Sequence, residues 1–215
     1  RIASAELLIK QNCNVIISDD GLQHYRLGRT VELVIVDAKR RFGNGLLLPS
    51  GPLREGSWRL NQSDLVVFNG DIDKNTELFI EHKLTTAVTS MTLQAREVRN
   101  LLTGESVSLP DFLNENAHVN AIAGIGDPQR FFDTLIANDF SLTTAQGFVD
   151  HHHFCDEDFT AFNDKIPLIM TEKDAVKCQS FAKPNWWYLP VDAVFSDMSQ
   201  QKIKTLLMRK LTLKR

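Results

Sequence analysis

Short apolar runs that end in polar residues or glycine dominate the first third of the chain. Three such runs lie at residues 15–17, 31–36 and 65–68, and none alternates cleanly between apolar and polar positions. Runs of this kind are typical of strands in parallel sheets that are covered on both faces. Residues 2–12 instead repeat apolar positions at helical spacing. The pattern predicts an α/β fold built on a parallel sheet.

A second α/β unit is predicted to begin near residue 119. The apolar run 119–123 leads through a glycine-containing turn into a helix predicted over 129–137. Pro128 suits the first turn of that helix because its missing N–H is not needed there. Further strands are predicted at 166–170 and 187–190.

The two units are joined by a segment with hairpin character. The stretches around 91–93 and 107–109 predict a two-stranded ribbon that acts as a connector. We therefore expect residues 1–84 to form the first domain, 85–114 the connector and 115–215 a second, smaller α/β domain.

Composition narrows the function classes. The chain has 215 residues, of which 43% are hydrophobic and 24% charged, which argues against a disordered or collagen-like protein. Three scattered cysteines predict a reducing, cytosolic location rather than a disulfide framework. No apolar run approaches the ~20 residues that a membrane-spanning helix needs. The chain begins at Arg1 rather than at Met, so we expect the natural start to be missing.

The charge distribution points to an anionic ligand. Residues 1–60 carry nine Lys and Arg against six Asp and Glu, although the whole chain has a net charge of −3. The slight excess of positive charge in residues 1–60 suits a phosphate-bearing ligand or a membrane surface. With a sequence pI near 6.1, no nucleic-acid partner is expected.

Paired carboxylates follow the first apolar run. Asp19 and Asp20 stand where a parallel strand would open into a ligand crevice, and an Asp at such a place binds Mg²⁺ in many phosphate-handling enzymes. Adjacent carboxylates diverge, so one would serve the metal and the other a base or a water molecule. The alternative is an ordinary Asp-Asp-Gly turn. Gln23 and His24, directly after the turn, favour the site.

A long loop rich in Gly and Pro spans residues 41–56 and contains Arg54 and Glu55. Ordered loops of this length are usually functional. An arginine there can hold phosphate while the carboxylate binds a sugar hydroxyl or steadies the arginine. A surface salt bridge is the alternative interpretation.

Three consecutive histidines follow Asp150. At most two of them can share a metal site, because neighbouring side chains diverge. Alternatively, one histidine oriented by Asp150 acts as a general base or orients one. A solvent-exposed histidine run at a turn remains the third possibility.

Six segments together resemble the tetraacyldisaccharide 4′-kinases, the lipid A 4′-kinases of Gram-negative bacteria. They occur in the family's order, and they are DDGLQHYRLGR (19–29), VELVIVDAKRRFGNGLLLPSGPLRE (31–55), AIAGIGDPQRFF (121–132), FVDHHHF (148–154), LIMTEKDAVKC (168–178) and WWYLPVDA (186–193). The resemblance implies a P-loop-kinase-like parallel sheet, incomplete here, with ATP and Mg²⁺ as cofactors.

The resemblance also assigns roles. It implies transfer of the ATP γ-phosphate to the 4′-hydroxyl of a lipid-linked disaccharide 1-phosphate by a peripheral enzyme, expected to be monomeric, at the cytoplasmic face of the inner membrane or in the cytoplasm. Asp19 and Asp20 would handle Mg²⁺, and Arg54 and Glu55 would belong to the active-site loop. Gln23 and His24 are expected to bind the cofactor, ATP. His151, rather than His152, would partner a catalytic aspartate.

The sequence departs from the family at its start. The resemblance implies a glycine-rich Walker A loop and a catalytic aspartate upstream of Arg1, and neither is present in this chain. We therefore expect a C-terminal fragment that is inactive as a kinase by itself, since phosphoryl transfer depends on the phosphate cradle.

Two hypotheses from other classes compete. A DHH-type phosphoesterase would bind a pair of metals through Asp150, His151 and His152 with strand-end aspartates such as Asp71 and Asp73. It leaves the segments at 19–29 and 31–55 unexplained. A non-catalytic binding module is the third hypothesis.

Overall fold

The computed structural model describes residues 1–71 and 84–212. The chain divides into two compact units, one formed by Arg1–Leu93 with Ala193–Arg215 and the other by Gln94–Asp192. The elements in chain order are α1 (Ile2–Lys10), β1 (Leu33–Asp37), β2 (Leu65–Asn69), β3 (Val88–Gln94), β4 (Glu97–Asn100), β5 (Ser106–Ser108), α2 (Leu109–Glu115), β6 (His118–Ala123), α3 (Pro128–Ala137), β7 (Ser141–Gly147), β8 (Leu168–Thr171), α4 (Glu172–Cys178), β9 (Trp186–Leu189), β10 (Asp192–Val194) and α5 (Asp197–Thr212). Short 3₁₀ helices lie at Ser57–Gln62, Asp156–Phe159 and Gln179–Phe181.

The first unit contains a sheet with the strand order β1-β2-β3-β10 among the described residues. β2 runs parallel to β1 and to β3. Alternate residues of β2 serve two cores: Val66 and Phe68 pack with Phe42, whereas Leu65 and Val67 pack with Leu206 of α5. This two-sided burial explains the continuous apolar run and confirms the predicted parallel α/β sheet.

The second unit contains a sheet with the strand order β5-β4-β9-β8-β6-β7. β6 runs parallel to β7 and β8, β8 runs parallel to β9, and β4 is antiparallel to its neighbours. Residues of these strands belong to two hydrophobic cores. One core includes Phe112 and Leu135, and the other includes Phe159 and Trp186. The predicted second α/β unit is therefore present.

The apolar run at 15–17 was expected to be a strand, and this prediction is wrong. It has no strand pairing within the described residues, and the Ile17 side chain is 91% exposed. Strand propensity by itself supplies no hydrogen-bonding neighbour, so a β-branched run can stay unpaired. The paired aspartates consequently follow an irregular segment rather than a strand.

The antiparallel ribbon exists with different strands from those expected. β5 pairs with β4, whereas Met91 lies in β3 and pairs in parallel register with Asn69. The observed units also differ from the expected boundaries at 84 and 114: the ribbon belongs to the second unit, and α5 to the first. Burial of Leu206 beside Leu65 explains why α5 belongs there.

Within the described residues, no helix combines the length and the apolar character that crossing a membrane requires.

Candidate functional site

A cavity of about 420 Å³ opens beside β1 in the first unit. Its walls come from three parts of the chain, namely β1, the turn that contains Asp20 and Gln23, and the long loop with the 3₁₀ helix that follows it. Asp37, the last residue of β1, lines it and accepts hydrogen bonds at Oδ1 from the backbone N–H groups of Lys39 and Arg40. The arrangement matches the general rule that α/β sheets open their ligand crevices at strand ends.

Four of the residues singled out from the sequence line this cavity. Asp20, Gln23, Arg54 and Glu55 come from segments about thirty positions apart and meet here. Arg54 Nη1 donates to Gln23 Oε1 at 3.2 Å, which ties the long loop to the aspartate turn. Arg54 thus contacts the turn, while the Glu55 carboxylate is engaged by Arg59 and Tyr25. Their catalytic roles stay a prediction.

Asp19 and Asp20 face different cavities. Asp20 adopts a left-handed backbone conformation with φ 48°, and its N–H donates to Asp19 Oδ1 at 2.9 Å. Asp19 lines a separate pocket beside α1, together with Ser4 and Leu8. The turn therefore separates the two carboxylates, and only Asp20 lines the cavity that holds Arg54 and Glu55.

The donor chemistry at Asp20 fits Mg²⁺. This ion keeps several waters and takes one or two carboxylates together with substrate phosphates, so a single exposed carboxylate at a cavity wall is enough protein ligand. Throughout the described ranges, 1–71 and 84–212, no three His, Cys, Asp or Glu side chains cluster in a way that could hold a metal ion.

His24, expected near the nucleotide, is half-buried and does not line the cavity. Its backbone N–H donates to Gly21 O at 2.9 Å and helps to close the aspartate turn. Its Nε2 is buried, and no hydrogen-bond partner for that atom is found in the part of the chain that the structure describes.

A network of charged side chains at the cavity wall, to which Glu55 and Arg59 belong, was not expected from the sequence. Arg59 is only 6% exposed and lies between Glu32 and Glu55. Tyr25 donates a short hydrogen bond from its hydroxyl to Glu55 Oε1. This hydrogen bond is the main reason why the pKa of Tyr25 is raised above its ordinary value. The four-residue spacing of Glu55 and Arg59 was the one sequence signal for this pair.

The histidine segment lies in the second unit. Asp150 Oδ1 accepts from Lys173 Nζ at 2.9 Å, and this hydrogen bond is the main cause of the lowered pKa of Asp150. His151 is 79% exposed, has φ 62°, and its Nε2 lies 3.7 Å from Asp150 Oδ2. Asp150 thus faces His151 at a distance too long for a direct hydrogen bond.

His152 is held much more firmly than His151. Its Nε2 lies 2.9 Å from Asp158 Oδ2, and its ring stacks on Phe148 at 4.7 Å and meets Phe154 edge-on at 4.9 Å. These contacts give His152 a packing role. The proposed metal pair of a DHH-type phosphoesterase finds no metal-binding cluster in the described ranges, and Asp73 lies outside them.

The glycine turn after β6 is explained by packing. The Gly124 N–H donates to Asp174 Oδ2 at 2.8 Å, and a Cβ at Gly124 would lie 3.0 Å from the Phe154 ring. Thr171 caps α4 by accepting at its side chain from the Asp174 N–H. Thr171 is therefore the N-cap of α4.

Comparison with known proteins gives a consistent result. The family model described as "Tetraacyldisaccharide-1-P 4'-kinase" matches residues 1–212. The tetraacyldisaccharide 4'-kinase of Colwellia psychrerythraea is 63% identical over 203 residues, which are 94% of this chain and 58% of that protein. The protein of the same name from Pasteurella multocida is 47% identical over 94% of this chain and 57% of its own length.

One solved structure is also similar. It is described as the crystal structure of the "apo" form of LpxK from Aquifex aeolicus in complex with ATP, and it matches with a TM-score of 0.67 and 25% identity. The match covers 89% of this chain and 56% of the other. The chain thus spans somewhat more than half the length of the relatives that it matches.

Proposed function

The chain belongs to the tetraacyldisaccharide-1-P 4'-kinase family, and from this premise we propose that the protein transfers the γ-phosphate of ATP to the 4′-hydroxyl of a tetraacyldisaccharide 1-phosphate in lipid A biosynthesis. The observation that carries the proposal is the family match over residues 1–212. The cavity supports it, since Asp20, Arg54 and Glu55 supply the charges that phosphoryl transfer needs at one place. The phosphoesterase hypothesis has no support in the comparisons.

ATP use is supported by the similar Aquifex structure, whose title names an ATP complex. In the proposal, Asp20 binds Mg²⁺ together with phosphate oxygens, and the bound ion offsets charge on the transferred phosphoryl group. Arg54, exposed at the cavity wall and tied to Gln23, binds phosphate oxygens. Glu55, which contacts Arg59, accepts a hydrogen bond from a sugar or ribose hydroxyl.

A role for His151 is also part of the proposal. As the family resemblance implies, it orients the aspartate that removes the proton from the 4′-hydroxyl. Its exposure and the facing Asp150 carboxylate suit such a role, because the ring is open to a partner on one side. His152, engaged by Asp158 and Phe148, has no comparable freedom.

The substrate has four acyl chains, so we also propose peripheral binding at the cytoplasmic face of the inner membrane. The basic excess of residues 1–60 supports this, since anionic headgroups attract Lys and Arg. A monomeric state is part of the same proposal.

A substitution at Asp20 tests the assignment. The protein expressed from its natural gene is assayed with labelled ATP and the disaccharide 1-phosphate in detergent, as wild type and as Asp20→Asn. We expect turnover to fall about 100-fold or more, which is typical when one electrostatic contact to the transition state is lost.

The matched control is Asp139→Asn. Asp139 is also exposed and left-handed, with φ 67°, but lies at the end of α3. Its replacement is expected to leave turnover unchanged. Equal activity of the wild type and Asp20→Asn would contradict the role of Asp20, and a wild type without ATP-dependent activity would contradict the function.

A further inference from the structure

A buried arginine, Arg59, lines the cavity and has a carboxylate on each side. Arg59 Nη2 donates to Glu32 Oε1 at 2.5 Å, and Arg59 Nε lies 3.3 Å from Glu55 Oε2 as a charge contact rather than an aligned hydrogen bond. The side chains of Glu32 and Glu55 are themselves less than one-fifth exposed. Burial opposes the charge on the guanidinium, but contacts with Tyr25 and Glu32 raise the pKa of Arg59, so it stays protonated.

The same network reaches the aspartate turn. Arg29 Nη1 lies 3.6 Å from Glu32 Oε1, and it donates to the backbone oxygens of Gly21 at 3.0 Å and Leu22 at 2.8 Å. Gly21 and Leu22 lie between Asp20 and Gln23, which line the cavity. Glu32 therefore connects the arginine that holds this turn with the arginine that holds Glu55.

Glu32 is in turn anchored to the body of the first unit. Its backbone N–H donates to Asp64 Oδ2 at 2.9 Å, and Asp64 Oδ1 pairs with Lys210 Nζ of α5 at 2.7 Å. Tyr25 fixes the other end of the network by donating from its hydroxyl to Glu55. Besides Arg59, the Glu32 carboxylate thus has Arg29 as a partner and the Glu55 carboxylate has Tyr25.

The stability of the fold alone does not explain a buried arginine with two carboxylates. Removing charges from water costs several kcal/mol per ion, and well-packed apolar residues often stabilise a protein as well or better. A planar guanidinium can, however, hold two carboxylates in fixed directions, which an apolar side chain cannot do. Orientation of Glu55 relative to the turn at Asp20 is the property that this network supplies.

We propose that Arg59 and Glu32 are a positioning pair, which sets the Glu55 carboxylate against the Asp20–Gln23 turn without touching the reacting atoms. This inference rests on the proposed function, because it assigns the pair a role in that reaction. Its structural part, the coupling of Arg59 to Glu55 and Tyr25, does not depend on activity.

Kinetics of the natural protein test the role in the reaction. For Arg59→Met we expect kcat to fall about 100-fold, as for a small misplacement of a reacting geometry, with the KM for ATP changed less than about threefold. Arg59→Lys should recover less than a tenth of the loss, because an ammonium lacks the fork that reaches both carboxylates.

A milder variant guards against misfolding. Glu32→Gln keeps the size of the side chain and leaves Glu55 untouched, and a fall in kcat of about tenfold is expected. Arg96→Met, at an exposed arginine of the second unit, is the control and should behave as wild type. The proposal would be overturned if a smaller fraction of folded protein fully explained the loss of kcat. Full recovery of kcat in Arg59→Lys would also overturn it.

A spectroscopic measurement on the 215-residue chain separates this proposal from the function. The sequence has two tyrosines, Tyr25 and Tyr188, so ¹³C-labelled tyrosine gives two signals that Tyr25→Phe assigns. The hydrogen bond to Glu55 raises the pKa of Tyr25 and Arg59 lowers it, so Arg59→Met should move the Tyr25 midpoint upward. The Arg96→Met control should not move it.

The Tyr25 midpoint and kcat test different parts of the proposal. An unchanged Tyr25 midpoint in Arg59→Met overturns the network whatever the activity. A shifted midpoint together with an inactive wild type leaves the network standing and contradicts the proposed function. A shifted midpoint together with unchanged kcat overturns the positioning role alone.

Discussion

Replacing Asp174 by alanine removes a carboxylate that is fully buried in the second unit. Its Oδ2 accepts from the Gly124 N–H at 2.8 Å and from the Thr171 hydroxyl at 2.7 Å, and its Oδ1 pairs with Lys177 Nζ at 2.8 Å. One side chain thus joins the end of β6 to both turns of α4. Alanine offers none of these acceptors.

The expected loss follows from the groups left without a partner. A buried Gly124 N–H without an acceptor costs about 1–3 kcal/mol. Lys177 is partly exposed and lies over the Phe154 ring at 5.4 Å, so its lost ion pair adds about 1 kcal/mol at most. We expect Asp174→Ala to lower the free energy of unfolding by about 3 kcal/mol in total.

Urea unfolding followed by tryptophan fluorescence measures this loss. Of the three tryptophans, Trp186 is buried in the second unit with Trp187 beside it, so the signal reports mainly on that unit. Asp164→Ala is the control: Asp164 is 68% exposed and pairs with Lys183 at the surface, and its loss should cost less than about 0.5 kcal/mol. The reasoning is refuted if both variants lose the same amount.

Two further predictions concern thiols and pH. Burial is the main cause that raises the pKa of Cys178 to about 12, so a thiol reagent at pH 8 should modify two of the three free cysteines in the native chain and all three in urea. Burial opposes ionisation of Asp158, but the hydrogen bonds from His152 and the Cys155 N–H outweigh it and lower the pKa of Asp158. Its carboxylate therefore stabilises the fold above the unfolded value of about 3.9 and loses that effect as the pH falls through the folded value. The free energy of unfolding, measured against pH, should be lower for Asp158→Asn than for wild type at pH 7. At about pH 2, well below the unfolded pKa of about 3.9, the two proteins should be equally stable.

The most buried strands, β2 and β6, were predictable because burial on two faces leaves a continuous apolar run. Residues 65–68 and 119–123 are of this kind, and both are strands in the structure. The run at 15–17 has the same composition and is not a strand, since pairing depends on a neighbour that local sequence does not encode. Assignment of α5 to the first unit likewise depends on a contact between Leu206 and Leu65, far apart in sequence.

The cavity was predictable in part. Asp20, Gln23, Arg54 and Glu55 were expected from motifs, and the structure brings them to one cavity. The burial of Arg59 between two carboxylates was not predicted, because a buried arginine looks in a sequence like any surface arginine. Its position depends on the contact with Glu32, which lies 27 positions away in sequence and is brought next to Arg59 by the fold.

The product of the reaction tests the central claim most directly. The protein from its natural gene is incubated with ATP, Mg²⁺ and the tetraacyldisaccharide 1-phosphate, and the lipid product is analysed by ³¹P NMR. We predict a new phosphomonoester at the 4′ position, with the 1-phosphate retained and one ADP formed for each product. Loss of the 1-phosphate without ATP, or no new phosphomonoester in the presence of ATP, would contradict the assignment as a 4′-kinase.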